Sequence, residues 1–166
     1  MPSIILISSF IVSIIAIIFA VYLTSQIKRS SPGNEKMQEI SEHIHKGSMA
    51  FLNKEYKIMI IFMIIVSFIL YYILPDGLVL TVAFIVGCIF SAVAGRVGMH
   101  IATKANVRTT WACNSNIAKG LKIAFSSGVV MSMFVVGLAL LGITIFYYIF
   151  DIMFEPSVNI SELIFG

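Results

Sequence analysis

Four uncharged apolar runs dominate this chain, at about residues 4–23, 58–74, 78–95 and 123–150. Each can cross roughly 30 Å of hydrocarbon at about 1.5 Å per helical residue. In lipid every backbone N–H and C=O needs an internal partner, so runs of this kind fold as helices. Composition agrees, because 59% of the 166 residues are hydrophobic, only 11% are charged, and mean hydropathy is +1.01. Soluble domains carry about a quarter charged residues. The expected fold class is an all-α integral membrane protein, a single membrane region of four transmembrane helices.

The cations orient those helices. All 11 Lys and Arg fall in two segments, Lys28 to Lys57 between the first two runs and Arg96 to Lys122 between the last two. The positive-inside rule then makes loops 24–57 and 96–122 cytoplasmic and places the N-terminus and C-terminus both outside. The expected location is a multi-pass position in the cell membrane, with lipid as the surrounding partner. Met1–Leu23 lacks a basic segment before its apolar run, and that run is longer than a signal peptide's, so it reads as a retained span.

Small residues recur along the third run. Gly87, Ser91 and Gly95 share one face, and Ala94, Gly98 and Ala102 share another, which lets helices approach closely in lipid. Arg96 marks the boundary of the span, and the helix is expected to continue to about residue 105. The fourth run carries Gly128, Ser132, Gly137 and Gly142 and exceeds the membrane thickness, so tilt or protrusion is expected. Tyr147 and Tyr148 read as interfacial aromatics, Asp151 closes the run, and Phe154-Glu155-Pro156 reads as a turn.

Between the first two spans, Ser30-Ser31-Pro32-Gly33-Asn34 is a turn cluster, with Asn34 suited to cap a helix and Glu35 to its first turn. Met37, Ile40, Ile44 and Phe51 follow helical spacing, which predicts a cytosolic amphipathic helical extension before the second span. Its apolar stripe should dock on neighbouring cytosolic helix ends, with the lipid surface as the alternative. Pro75-Asp76-Gly77, next to Tyr71 and Tyr72, predicts a tight external turn joining an antiparallel pair.

Candidate chemistry is sparse. His43 and His45 sit beside Glu39 and Glu42, but residues two apart point to different helix faces, so a solvated polar face is the reading rather than a metal site. His100 lies at the cytosolic end of the third helix and receives no catalytic role. Cys88 and Cys113 form no framework and read as small packing residues. The stretch Ala102 to Thr110 offers Lys104, Arg108, Asn106 and three hydroxyls that could bind an anion. Without a glycine-rich loop, helix capping and lipid contact are favoured. No ionisable residue lies deep in a span, where one would mark an ion path. No catalytic, cofactor-binding or metal-binding residue is assigned, and topology explains the basic loops without a nucleic-acid partner.

Several strings carry a resemblance: Gly33-Asn34-Glu35-Lys36-Met37-Gln38-Glu39-Ile40, Gly47 through Ala50-Phe51-Leu52 to Glu55-Tyr56-Lys57, and Ala94-Gly95 with Gly98-Met99. Ala102-Thr103-Lys104-Ala105-Asn106-Val107-Arg108-Thr109, Lys122-Ile123-Ala124-Phe125 and Gly137 to Gly142 continue it. Over about two-thirds of its length, Gly33 to Gly142, the chain resembles the amino-terminal quarter of the membrane-bound, ion-pumping inorganic pyrophosphatases. Ser127 and Ser132 depart from that pattern, where glycines are expected. The resemblance implies a larger helix bundle forming homodimers that hydrolyses Mg²⁺-bound pyrophosphate at the cytosolic face and moves H⁺ or Na⁺ outward. It also implies that the catalytic aspartates and phosphate-binding lysine begin on a fifth helix, so this segment binds no Mg²⁺ and is inactive alone. The expected function is that of an amino-terminal segment bracing such a pump. The alternative is a small non-enzymatic four-helix assembly or regulatory subunit.

Overall fold

We describe the protein from a computed structural model in which residues 2–153 are described, with side chains described for residues 4–149. The turn expected at residues 154–156 lies outside the described residues. Four long helices follow in order: α1 (Pro2–Arg29), α2 (Glu35–Ile73), α3 (Gly77–Ser115) and α4 (Ile117–Met153). Each is long and apolar enough to cross a membrane. α3 runs on to Ser115, about three turns beyond the expected end near residue 105.

Local chemistry sets each boundary. α1 ends with Lys28 and Arg29 in its last turn, where cations suit the helix dipole. Pro32 follows, and it can neither donate to the preceding turn nor leave Ser31 free to be helical. Gly33 then adopts a left-handed φ of 83°, open to a residue without Cβ. Asn34 caps α2, its side-chain oxygen accepting from the Met37 N–H at 2.9 Å. At the far end of α2, Leu74 is held extended by the following proline, and Asp76 takes the left-handed φ of 58° that closes the turn. Gly77 starts α3 so close to the backbone carbonyls of Leu70 and Tyr71 that a Cβ would collide with them.

The α3–α4 connection is Asn116 alone. Its N–H donates to the Ala112 carbonyl at 2.9 Å, and its side-chain oxygen accepts from the Ala118 N–H at 2.8 Å. One residue therefore ends one helix and caps the next. So short a hairpin forces the helices together at Gly120, where a Cβ would run into Cys113 Sγ and lie 3.0 Å from the Thr109 carbonyl oxygen.

α2 packs on α3, α3 on α4, and α4 on α1, while α1 and α2 make no substantial contact. The helices thus stand as a row bent round on itself, with a cleft between its first and last members. α2 and α3 are an antiparallel pair, as Pro75-Asp76-Gly77 predicts. Their cross-contacts keep one register from Ser67–Thr81 through Tyr56–Ala92 and Asn53–Arg96 to His45–Thr103. That is roughly 33 Å of continuous pairing at the helical rise. Small residues allow the other approaches: Ala94 and Gly98 are buried on α3, Gly98 meeting Met131 of α4. Gly137 of α4 receives Ile17, Ala16 and the Ser13 carbonyl of α1, and Gly142 faces the Phe90 ring.

The buried core, Ala20, Ile27, Ile101, Ala105 and Val130, joins α1, α3 and α4 near the end that carries the cations. Elsewhere the outward faces are large and apolar, as lipid or further protein would require. Gly87 and Gly128 meet nothing within 4 Å, so these parts of the small-residue faces are open. Ser132 is exposed, its hydroxyl donating back to the Gly128 carbonyl at 3.1 Å, and its departure from glycine disturbs no contact among the described residues.

Candidate functional site

The polar groups gather at the basic end of the bundle, and most of them hold helices in place. Arg108 illustrates this. Its Nε donates to the Ser30 carbonyl at 3.1 Å and its Nη1 to the Lys104 carbonyl at 2.8 Å. The first bond ties α3 to the end of α1, where backbone carbonyls lack helical partners and a cation is favourable. Trp111 packs against the same turn, since a Cβ on Gly33 would sit 3.2 Å from its ring and 3.0 Å from Met37 Sδ. Gln38 completes the clasp, its side-chain amide donating to the Gly33 carbonyl at 3.0 Å. Gly33, Asn34, Met37 and Gln38 of the first matching string therefore each have a structural task. Arg108, of the Ala102–Thr109 string, holds the end of α1 just before them.

Thr103 is buried, and its hydroxyl donates within α3 to the Met99 carbonyl at 2.9 Å. The same oxygen shares a hydrogen bond with His45 Nδ1 across the helix interface, at 2.7 Å. The His45 ring meets the edge of the His100 ring, with centroids 4.8 Å apart. His43 is exposed and Glu42 pairs with Lys46 at 2.9 Å, so the local His/Glu cluster of the sequence divides between two faces. The His45–His100 pairing escaped the sequence because no local spacing links residues on different helices.

His100 lies outside the expected spans. Burial, followed by the positive charges of Lys104, His45, Lys28 and Arg96, holds its imidazole below the ordinary value of 6.5. Beside it, Arg96 Nη1 donates to Asn53 Oδ1 at 2.9 Å, and the Tyr56 hydroxyl donates to the Ala92 carbonyl. Burial raises the Tyr56 pKa, against the opposing pull of Arg96.

The face that α2 lays on α3 includes polar residues beside the apolar ones. Met37, Ile40 and Ile44 line a groove with Thr103, Asn106 and Val107 of α3, Ile40 and Ile44 staying about half exposed, whereas Phe51 is 62% exposed. His45 and Tyr56 share the packed face, bonded to the Thr103 hydroxyl and the Ala92 carbonyl of α3, and Leu52 is buried between them in sequence. Cys88 lies partly covered within α3, and Cys113 stands against Gly120.

Magnesium needs clustered oxygen ligands, chiefly carboxylates and phosphate. Among the described residues no three His, Cys, Asp or Glu side chains stand together as a metal site, and Glu42 is already engaged by Lys46. These residues do not fit a Mg²⁺ seat. What the geometry offers is a clasped bundle end, rich in cations and helix caps.

Comparison with known proteins places that architecture. The family described as inorganic H⁺ pyrophosphatase matches residues 14–166. A Clostridium tetani protein, provisionally named a K⁺-stimulated pyrophosphate-energized sodium pump, is 51% identical over 142 residues. That alignment takes in 86% of this chain and 21% of the relative. A K⁺-insensitive pyrophosphate-energized proton pump of Methanosarcina mazei is 38% identical over 82% of this chain and 20% of its own length. The Thermotoga maritima K⁺-stimulated sodium pump is 36% identical, over 85% of this chain and 19% of its own length. The chain thus spans about a fifth of these curated relatives, and across nearly all of its own length it belongs to the inorganic H⁺ pyrophosphatase family of integral membrane proteins.

Proposed function

We propose that this chain supplies the first four helices of a pyrophosphate-energised H⁺ or Na⁺ pump, where they brace the catalytic part. The family match over residues 14–166, against relatives about five times longer, carries the reading. The open small-residue positions Gly87 and Gly128 support it, since neighbouring helices could approach there. In this reading Mg²⁺-dependent pyrophosphate hydrolysis belongs to the remaining helices of a homodimeric pump, and this chain by itself is inactive.

The proposed placement has the basic end in the cytoplasm, both termini outside, and spans near residues 4–23, 58–74, 78–95 and 123–150 of the cell membrane. The first half of α2 and the end of α3 then stand in the cytoplasm. Charge asymmetry supports this orientation. A chimera tests the function: this chain replaces the corresponding segment of the Clostridium tetani relative. Pyrophosphate hydrolysis at a rate comparable to the parent protein is expected, with background turnover from this chain alone. Cysteines placed at Lys46 and Lys104 should resist impermeant reagents in intact cells and react once the membrane is opened.

A further inference from the structure

The cleft between α1 and α2 contains a cavity of about 510 Å³ that the bracing role does not use. Its polar lining comes from three helices: Thr24 and Lys28 of α1, His45 of α2, and Arg96 and His100 of α3. No carboxylate lines it. The charged groups acting on His100 are all cations, Lys104, His45, Lys28 and Arg96. Lys28 and Arg96 thus converge with no counter-charge in the lining, which favours an anion there.

The remaining lining is apolar, with Val21, Met49, Val97 and Phe134 among it. Arg96 and Lys28 follow the ends of uncharged runs, so the cavity lies at the depth where a bilayer's phosphates meet its hydrocarbon. With no substantial contact between α1 and α2, its side is open in this four-helix segment. A soluble phosphate has no use for the apolar wall, whereas a glycerophospholipid needs both halves.

We propose that this cleft binds one anionic phospholipid, its phosphate held between Lys28 and Arg96 and the first part of its chains lying on Val21, Val97 and Phe134. Basic pockets between membrane helices recognise lipid headgroups by this combination of charge and apolar depth. The site is independent of the pump assignment, because it uses only the cleft and the bilayer.

The test is native mass spectrometry of the full chain in detergent, titrated with phosphatidylglycerol or phosphatidylcholine. One retained phosphatidylglycerol per chain is expected, with weaker retention of phosphatidylcholine. Lys28→Gln should weaken phosphatidylglycerol retention about fivefold, the effect of one cation at a membrane surface. Lys28 is exposed and its side chain makes no hydrogen bond among the described residues, so this variant should keep its helicity. Arg96→Gln should act similarly, and Lys54→Gln, on the exposed part of α2, should change nothing. Equal retention of the two lipids, or equal effects of Lys28→Gln and Lys54→Gln, would overturn the proposal. Displacement of phosphatidylglycerol by millimolar inorganic phosphate would also overturn it, by showing a soluble-anion site.

Discussion

Asn34 shows how much one side chain can settle. Its oxygen satisfies the Met37 N–H at the one point where α2 must begin, just after the left-handed Gly33. Asn34→Ala should cost about 1 kcal/mol of stability, read as a lower unfolding midpoint in detergent. His100 has a different signature. Its folded pKa lies below 6.5, so the folded state binds fewer protons than the unfolded chain in mildly acid solution. Its contribution is complete above about pH 6.5 and is lost as pH falls through the lower folded value. Unfolding midpoints should therefore drop between about pH 7.5 and pH 5, and His100→Gln should make that drop smaller. The charged groups facing it are Lys28 of α1, His45 of α2, and Arg96 and Lys104 of α3.

Among the elements, the turns were the most legible. Asn34 and Pro75-Asp76-Gly77 act through their own backbone and immediate neighbours, so residue identity suffices to place them. The packed face of α2 was only partly legible from apolar periodicity, which finds Met37, Ile40 and Ile44 but not His45 and Tyr56. At the basic end of the bundle a hydroxyl or a carbonyl on α3 is as good a partner as a methyl group, which lets His45 and Tyr56 face α3 beside Ile40 and Ile44 while Phe51 stays outside. Gly120 was missed for a related reason. What requires it is Cys113, on the other arm of a hairpin whose link is the single residue Asn116. Gly120→Val should overpack that crossing, destabilising the chain by about 1–3 kcal/mol. Cys113→Ala should relieve part of this loss by removing the sulfur, and unfolding of the double variant measures the relief.

The whole molecule is a row of helices whose contacts run α2, α3, α4, α1, with apolar surface outward on nearly every side. Membrane helices in lipid alone gain little from small residues, because glycine gives lipid chains nothing to grip that leucine would not. Open glycines therefore distinguish a lipid-facing surface from a protein-facing one. Gly98 and Gly137 are already filled by Met131 and Ile17, while Gly87 and Gly128 are not filled among the described residues. If the bracing role is correct, the second pair is used only in the assembled pump. Gly87→Leu and Gly128→Leu should then leave the unfolding midpoint of this chain unchanged or slightly raised, since helix propensity favours leucine by about 1 kcal/mol. The same substitutions in the chimera with the Clostridium tetani relative should reduce pyrophosphate hydrolysis severalfold and weaken retention of this segment. Full activity in that setting would mean that these positions face lipid, and the contact holding this bundle to the rest of the pump would have to lie elsewhere on its surface.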